Sequence, residues 1–165
     1  MVSLRREGAS GGASSPTGPT GRILAIDYGR RRIGLAVSDE LHLTAQPLAT
    51  LTRTNRRADQ RRLRDVVREQ RVTHIVIGHP LRLDGSAGPM AEEAARFAAR
   101  LARELRLPVE LVDERLTSWD AGELLAASGG SARNKPGAKR NSGAVDDVAA
   151  AIILRDYLER RRVPA

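Results

Sequence analysis

Apolar and polar positions alternate along this chain in two periods, which together predict five strands and four helices. "RILAIDY" (22–28) is apolar on both faces, the pattern of a buried strand, and "RIGLAVSD" (32–39) follows after so short a turn that the two should pair as an antiparallel hairpin. A third strand is expected within "AQPLATLTR". In "NRRADQRRLRDVVREQ", Leu63, Val66 and Val67 fall at helical spacing in a charged background, with Asn55 placed to cap the helix. "THIVIGH" reads as a fourth, short buried strand. "PMAEEAARFAARLAREL" lines Met90, Ala94, Phe97, Leu101 and Leu105 along one stripe, with Pro89 at the helix start. "PVELVDE" supplies the fifth strand. "SWDAGELLAAS" and "AVDDVAAAIILRDYLERR" read as two closing helices on either side of the basic loop "GGSARNKPGAKRNSG".

The order βββαβαβαα gives an α/β fold, a three-strand meander followed by two crossovers. Right-handed crossovers set the fourth strand beside the first and the fifth beside the fourth. The expectation is a five-stranded mixed sheet of order 3-2-1-4-5 with helices on both faces. Ahead of it, 12 of the 14 residues from Gly8 to Gly21 are Gly, Ser, Thr or Pro, too little apolar surface to offset the entropy of ordering. Residues 1–21 are therefore expected to be a disordered tail, and residues 22–162 a single domain, which suits a chain of 165 residues.

In that sheet the first, fourth and fifth strands run parallel and share a carboxyl edge, where open α/β sheets usually bind ligands. Asp27 ends strand one, Glu114 ends strand five, and Asp146 or Asp147 interrupts the apolar opening of the last helix. An ionised carboxylate in such a helix costs several kcal/mol, roughly, unless it is paired or metal-bound. Each acid has a structural alternative: Asp27 as a turn former, Glu114 as the ion-pair partner of Arg115, the Asp pair as helix-start acids. Their convergence points instead to an oxygen-ligand site for Mg²⁺ or Mn²⁺. With strand four between them, Asp27 and Glu114 start roughly 10 Å apart at their backbones, two strand spacings.

Composition adds less than it first suggests. Net charge is +8, which favours polyanionic partners, but Lys occurs only at Lys135 and Lys139, leaving 26 arginines among the 28 basic residues. A bias that strong is also what the codons of a GC-rich genome produce, so the basic signal is discounted. There is no cysteine, hence no disulfide or thiolate site, and the first residues lack a secretory signal. The longest apolar run, "VAAAIIL", is far below membrane-spanning length. A soluble cytoplasmic protein without membrane partners is expected.

"ILAIDYGRRRIGLAVSD", "IVIGHPLRLDGSAGP", "VDERLTS" and "VDDVAAAIILRDYL", in that order, resemble the successive motifs of the YqgF/RuvX family of RNase H-like nucleases, covering nearly everything from Arg22 to about Arg160. The resemblance implies an RNase H-like fold and a bacterial cytoplasmic nuclease that finishes the 5′ end of pre-16S ribosomal RNA in ribosome biogenesis. The family has also been described as Holliday junction resolvases, which act on a four-way DNA junction. Its acidic residues map onto Asp27, Glu114 and Asp146 as catalytic metal ligands, the last chosen because the family's Asp precedes an "AA" pair by three positions. The implied chemistry is phosphodiester hydrolysis with two divalent ions about 4 Å apart, activating water and stabilising the leaving oxygen without a histidine base.

Other segments carry expectations as nucleic-acid contacts. Arg30 to Arg32 form either a phosphate-steering hairpin tip or a merely solvated one. "PLRLDGSAGP" resembles the family's loop before the second helix, where Arg82 and backbone amides could hold an anion. Arg133, Lys135, Lys139 and Arg140 gather in a loop just before Asp146 and read as a basic clamp over the scissile strand. With aromatics at 2%, backbone and shape should be read more than bases. "AIDYGRRRIGLAV" is also similar to the phosphate-binding hairpin of the actin and sugar-kinase ATPases, which need two such domains where this chain has room for one. The remaining alternative is a non-catalytic nucleic-acid-binding module on the same fold. Oligomeric state is open, a dimer included.

Overall fold

The computed structural model describes residues 21–116 and 142–162, with side chains of the second stretch from residue 148 onward. The predicted tail as far as residue 20, the predicted helix at 118–128 and the basic loop as far as residue 141 therefore lie outside the described residues, and the loop's last two residues instead open the closing helix. β1 (Arg22–Tyr28), β2 (Arg32–Ser38) and β3 (Ala45–Thr52) form the meander, followed by α1 (Arg56–Glu69), β4 (Val72–His79), α2 (Pro89–Leu105) and β5 (Val109–Asp113). A 3-10 turn (Glu114–Leu116) leaves β5, and α3 (Ser142–Arg162) closes the described chain. The sheet order is β3-β2-β1-β4-β5, as the crossover rule requires. β1 pairs antiparallel with β2 and parallel with β4, and β4 pairs parallel with β5.

Local chemistry sets the boundaries. The Asn55 side chain accepts the Ala58 N–H at 3.0 Å, capping α1, and α2 opens on Pro89 behind an extended Gly88. The β1–β2 turn closes with Gly29 N–H donating to the Arg32 carbonyl at 2.9 Å, and a Cβ at Gly29 would sit 2.6 Å from that oxygen. Only glycine permits so tight a closure. One boundary differs from expectation: β5 stops at Asp113, and Glu114 begins the 3-10 turn instead of ending the strand.

The sheet separates two cores. Leu24, Ile26, Ile33, Leu35, Ile75 and Ile77 pack with Leu63, Phe97 and Leu101 under α1 and α2. Ile23, Ala25, Ala36, Val76 and Val112 pack with Ile153, Leu154, Tyr157 and Leu158 under α3. Strands buried on both faces read as continuous apolar runs, which is why β1 and β4 stand out without alternation. Among the described residues, no helix is long and apolar enough to cross a membrane.

Candidate active site

Side-chain alternation decides which face of the sheet the acids occupy. Ile23 and Ala25 enter the core under α3 while Leu24 and Ile26 enter the other, so Asp27, two residues past Ala25, falls on the α3 face. The same parity puts Gly78, two residues past Val76, on that face. Ile26 pairs with Ile77 across β1 and β4, which sets Gly78 beside Asp27, and on the other side Asp27 pairs with Gly34. Asp27 is thus flanked by two positions without side chains.

Glu114 uses one of them. A Cβ built at Gly78 would collide with Glu114 Oε1, lie 3.2 Å from Glu114 Cδ, and come within 2.7 Å of Ile153 Cδ1 on α3. The Glu114 carboxylate therefore lies across β4, over the glycine and toward Asp27, with α3 as its apolar cover. The separation of two strands is bridged by leaving a side chain out of the strand between them.

The electrostatics follow from this placement. Burial pushes the Glu114 carboxyl up to about 7, and the negative charges of Asp27 and Asp113 add to it. Asp113 behaves oppositely. Arg115 donates to it through Nε at 3.1 Å and Nη2 at 2.7 Å, and these hydrogen bonds hold its carboxyl below the usual range. The alternative in which Glu114 is the ion-pair partner of Arg115 is thereby corrected: the guanidinium takes Asp113, a strand residue two positions away, in a fork that the 3-10 turn brings into register.

Arg115 also donates to the Leu83 carbonyl at 3.3 Å, fastening the loop after β4 to the end of β5. In that loop Arg82 N–H donates to the Ser86 carbonyl and Gly85 N–H to the Arg82 carbonyl, a tight turn that returns the chain to α2. The Arg82 guanidinium packs 3.4–3.6 Å from where a Gly88 Cβ would stand, at the start of α2, which has no side-chain cap. Asp146 and Asp147 stand in the first turns of α3, where the backbone but not the side chains is described. Arg133, Lys135, Lys139 and Arg140 lie outside the described residues. Among the described residues no group of three or more His, Cys, Asp or Glu is assembled as a metal site, so the described part of the candidate centre is the pair Asp27 and Glu114.

Two features of the site were not anticipated from the sequence. The Asp113–Arg115 fork depends on the 3-10 turn and has no periodic signal. Gly78 had one: a glycine inside an apolar strand marks a place where another group approaches closely.

Comparison with known proteins accords with this architecture. The family model described as "RuvX: Holliday junction resolvase" matches residues 21–160. A relative from Koribacter versatilis, named "Putative pre-16S rRNA nuclease", is 47% identical over 148 residues, covering 90% of this chain and 93% of its own. Relatives of the same name from Syntrophus aciditrophicus and Anaeromyxobacter dehalogenans are 48% and 46% identical, covering 84% and 85% of this chain and 88% and 98% of theirs. Among solved structures, T. thermophilus RuvC in complex with a Holliday junction substrate aligns with a TM-score of 0.52 at 16% identity, covering 84% of this chain and 95% of that one. Fowlpox virus resolvase with Holliday junction DNA aligns at 0.53 and 11% identity, covering 86% and 99%. At those identities the likeness establishes the RNase H-like fold of the resolvases and nothing finer. The sequence match spans the whole described domain, and the chain belongs to the RuvX family.

Proposed function

We propose that this protein is a metal-dependent nuclease that hydrolyses nucleic-acid phosphodiesters, and that it processes the 5′ end of pre-16S ribosomal RNA in the cytoplasm. The observation that carries the reading is the Glu114 carboxylate lying over Gly78 toward Asp27. A half-buried acid held near pKa 7 by burial and a second acid is a site short of positive charge. Its donors are carboxylate oxygens, which fits Mg²⁺ or Mn²⁺. Such ions, when bound, supply Lewis-acid activation of water and neutralise the leaving oxygen.

Within this reading Asp27, Glu114 and Asp146 hold the metal ions. Helical geometry supports Asp146 over Asp147: Asp146 stands seven residues before Ile153, about 20° away around the helix, whereas Asp147 is about 120° away. Arg82, at the open start of α2, orients a substrate phosphate, and Arg133, Lys135, Lys139 and Arg140 draw the scissile strand in. Ile153 keeps water from the outer side of Glu114.

The names of the relatives favour precursor RNA. The family description favours four-way DNA junctions, and that is the second reading. Purified protein with Mg²⁺ or Mn²⁺, offered labelled precursor RNA, unrelated single strands and four-way junctions side by side, separates them. Cleavage of the precursor is expected, abolished by Asp27→Asn, Glu114→Gln or Asp146→Asn with the fold kept, and reduced less by Asp147→Asn. Equal loss at Asp146 and Asp147 overturns that assignment. No cleavage of any substrate leaves a binding module.

A further inference from the structure

The arginine excess, discounted above as a compositional bias, is not scattered on α1. Arg57, Arg61, Arg64 and Arg68 are all exposed, and at 100° per residue they fall within an arc of about 60°, opposite the side on which Leu63 enters the core. None of the four forms an ion pair or side-chain hydrogen bond with another described residue. Their neighbours do. Arg56 pairs with Glu104, Arg62 with Asp59, Arg30 with Glu93 and Arg96 with Glu92. Asp65 and Glu69, the exposed acids of α1, stand to one flank of the stripe. Like charges three and four residues apart repel along a helix, so the stripe destabilises α1 until an anion is laid on it.

Its position gives it a use. Thr52, the last residue of β3, pairs with Arg32, and Arg53 N–H donates to the Arg31 carbonyl at 2.9 Å, so α1 starts beside the β1–β2 turn, at the sheet edge that carries Asp27. It lies on the opposite face, where a strand leaving the site arrives by rounding that edge. The helix then runs back from that edge, and its four arginines form a stripe about 16 Å long, roughly one per turn. No aromatic side chain accompanies them on the helix, so they offer charge for phosphates and no platform on which bases could stack.

We propose that the outer face of α1 is a second nucleic-acid surface, which binds the sugar-phosphate backbone of the strand flanking the scissile bond. The proposal rests on the nuclease reading for what is bound at the edge, but binding is measurable without cleavage. In EDTA, the affinity of wild type for precursor RNA with a long flank and for a short RNA confined to the edge is measured against salt, alongside variants with all four arginines changed to Gln or to Lys.

The Gln variant is expected to bind the long RNA about tenfold or more weakly at moderate salt. Its slope of log affinity against log salt should flatten by about 0.7 for each phosphate no longer neutralised on a single strand, and about 0.9 on a duplex. The short RNA should bind as before, and the Lys variant, which keeps the charge, should behave as wild type. Gln is a good helix former, so an unchanged melting temperature in free solution excludes unfolding. Equal slopes for wild type and Gln variant overturn the proposal and leave an acidic protein as the partner of this face. An equal loss on the short RNA, or a Lys variant as weak as Gln, also overturns it. If wild type cleaves nothing with Mn²⁺ while the slopes differ as stated, the nuclease reading fails and the surface stands.

Discussion

Gly78 determines the distance between the two described acids by having no side chain. Alanine there meets Glu114 Oε1 and Ile153 Cδ1, both at the ends of flexible side chains, so the sheet tolerates it while the carboxylate is displaced from its place beside Asp27. Gly78→Ala is expected to cost stability of about 1–3 kcal/mol, as overpacking does, and to lower the cleavage rate at saturating substrate at least about tenfold. Melting curves and single-turnover kinetics read the two effects separately. Glu114 makes a second prediction. Its carboxyl is raised to about 7 in the folded chain from an ordinary 4.5, so the folded state holds the proton more tightly than the unfolded one. Stability from this group is complete below pH 4.5 and lost as pH rises through 7. In EDTA, Glu114→Gln should therefore melt higher than wild type at about pH 8 and match it near pH 4, even though it cleaves nothing. Mn²⁺ at the higher pH should restore wild type and leave the variant unmoved, and a variant less stable than wild type there would contradict the burial of a charged Glu114.

Between β3 and α1, Arg53 acts on an element that is not its own. Its Nη1 donates to Tyr28 Oη at 3.0 Å, to the Gly29 carbonyl at 3.1 Å and to the Arg30 carbonyl at 3.3 Å, its Nε lies 3.5 Å from the buried Asp59, and its guanidinium stands 5.0 Å over the Tyr28 ring. The tip of the β1–β2 hairpin, directly after Asp27, is thus held by a residue from the next connection. Arg53→Met is expected to destabilise by about 1–3 kcal/mol, since it leaves turn carbonyls without their donor, and to lower the cleavage rate while keeping its pH profile. Lysine should rescue only in part, lacking the fork. The hairpin itself, the Asn55 cap and the Pro89 start were legible in the chain, because each rests on neighbours in sequence. Arg53 and the Asp113–Arg115 fork were not, because one guanidinium among 26 arginines shows no partner until the strands are in register.

For the whole molecule the strand order was legible because handedness leaves few ways to lay two crossovers on a meander, and burial on both faces makes β1 and β4 stand out. The carboxyl edge and its acid Asp27 followed from that order. How Glu114 reaches Asp27 past β4 was only half legible: the glycine inside β4 marks a close approach, but that the approaching group is Glu114 shows only once the β1–β4 and β4–β5 registers are set. Size adds a prediction about substrate. One acidic site per chain makes one cut, whereas a junction needs two symmetric cuts and a two-fold dimer. Light scattering during turnover is expected to find a monomer cutting precursor RNA, and a stable dimer that cuts junctions symmetrically and ignores that RNA would reverse the choice.

The apolar cover over Glu114 comes from Ile153, near the end of the chain, while the acid it covers was synthesised almost forty positions earlier and Asp27 well over a hundred before. During translation, then, β1 to β5 leave the ribosome before α3, and until α3 packs, Glu114 lacks the apolar cover of Ile153. Completion of the last helix is what withdraws it from water. Under the proposed reading, a chain in which α3 is not yet packed, or has been lost, lacks both that cover and Asp146 and is expected to cleave nothing.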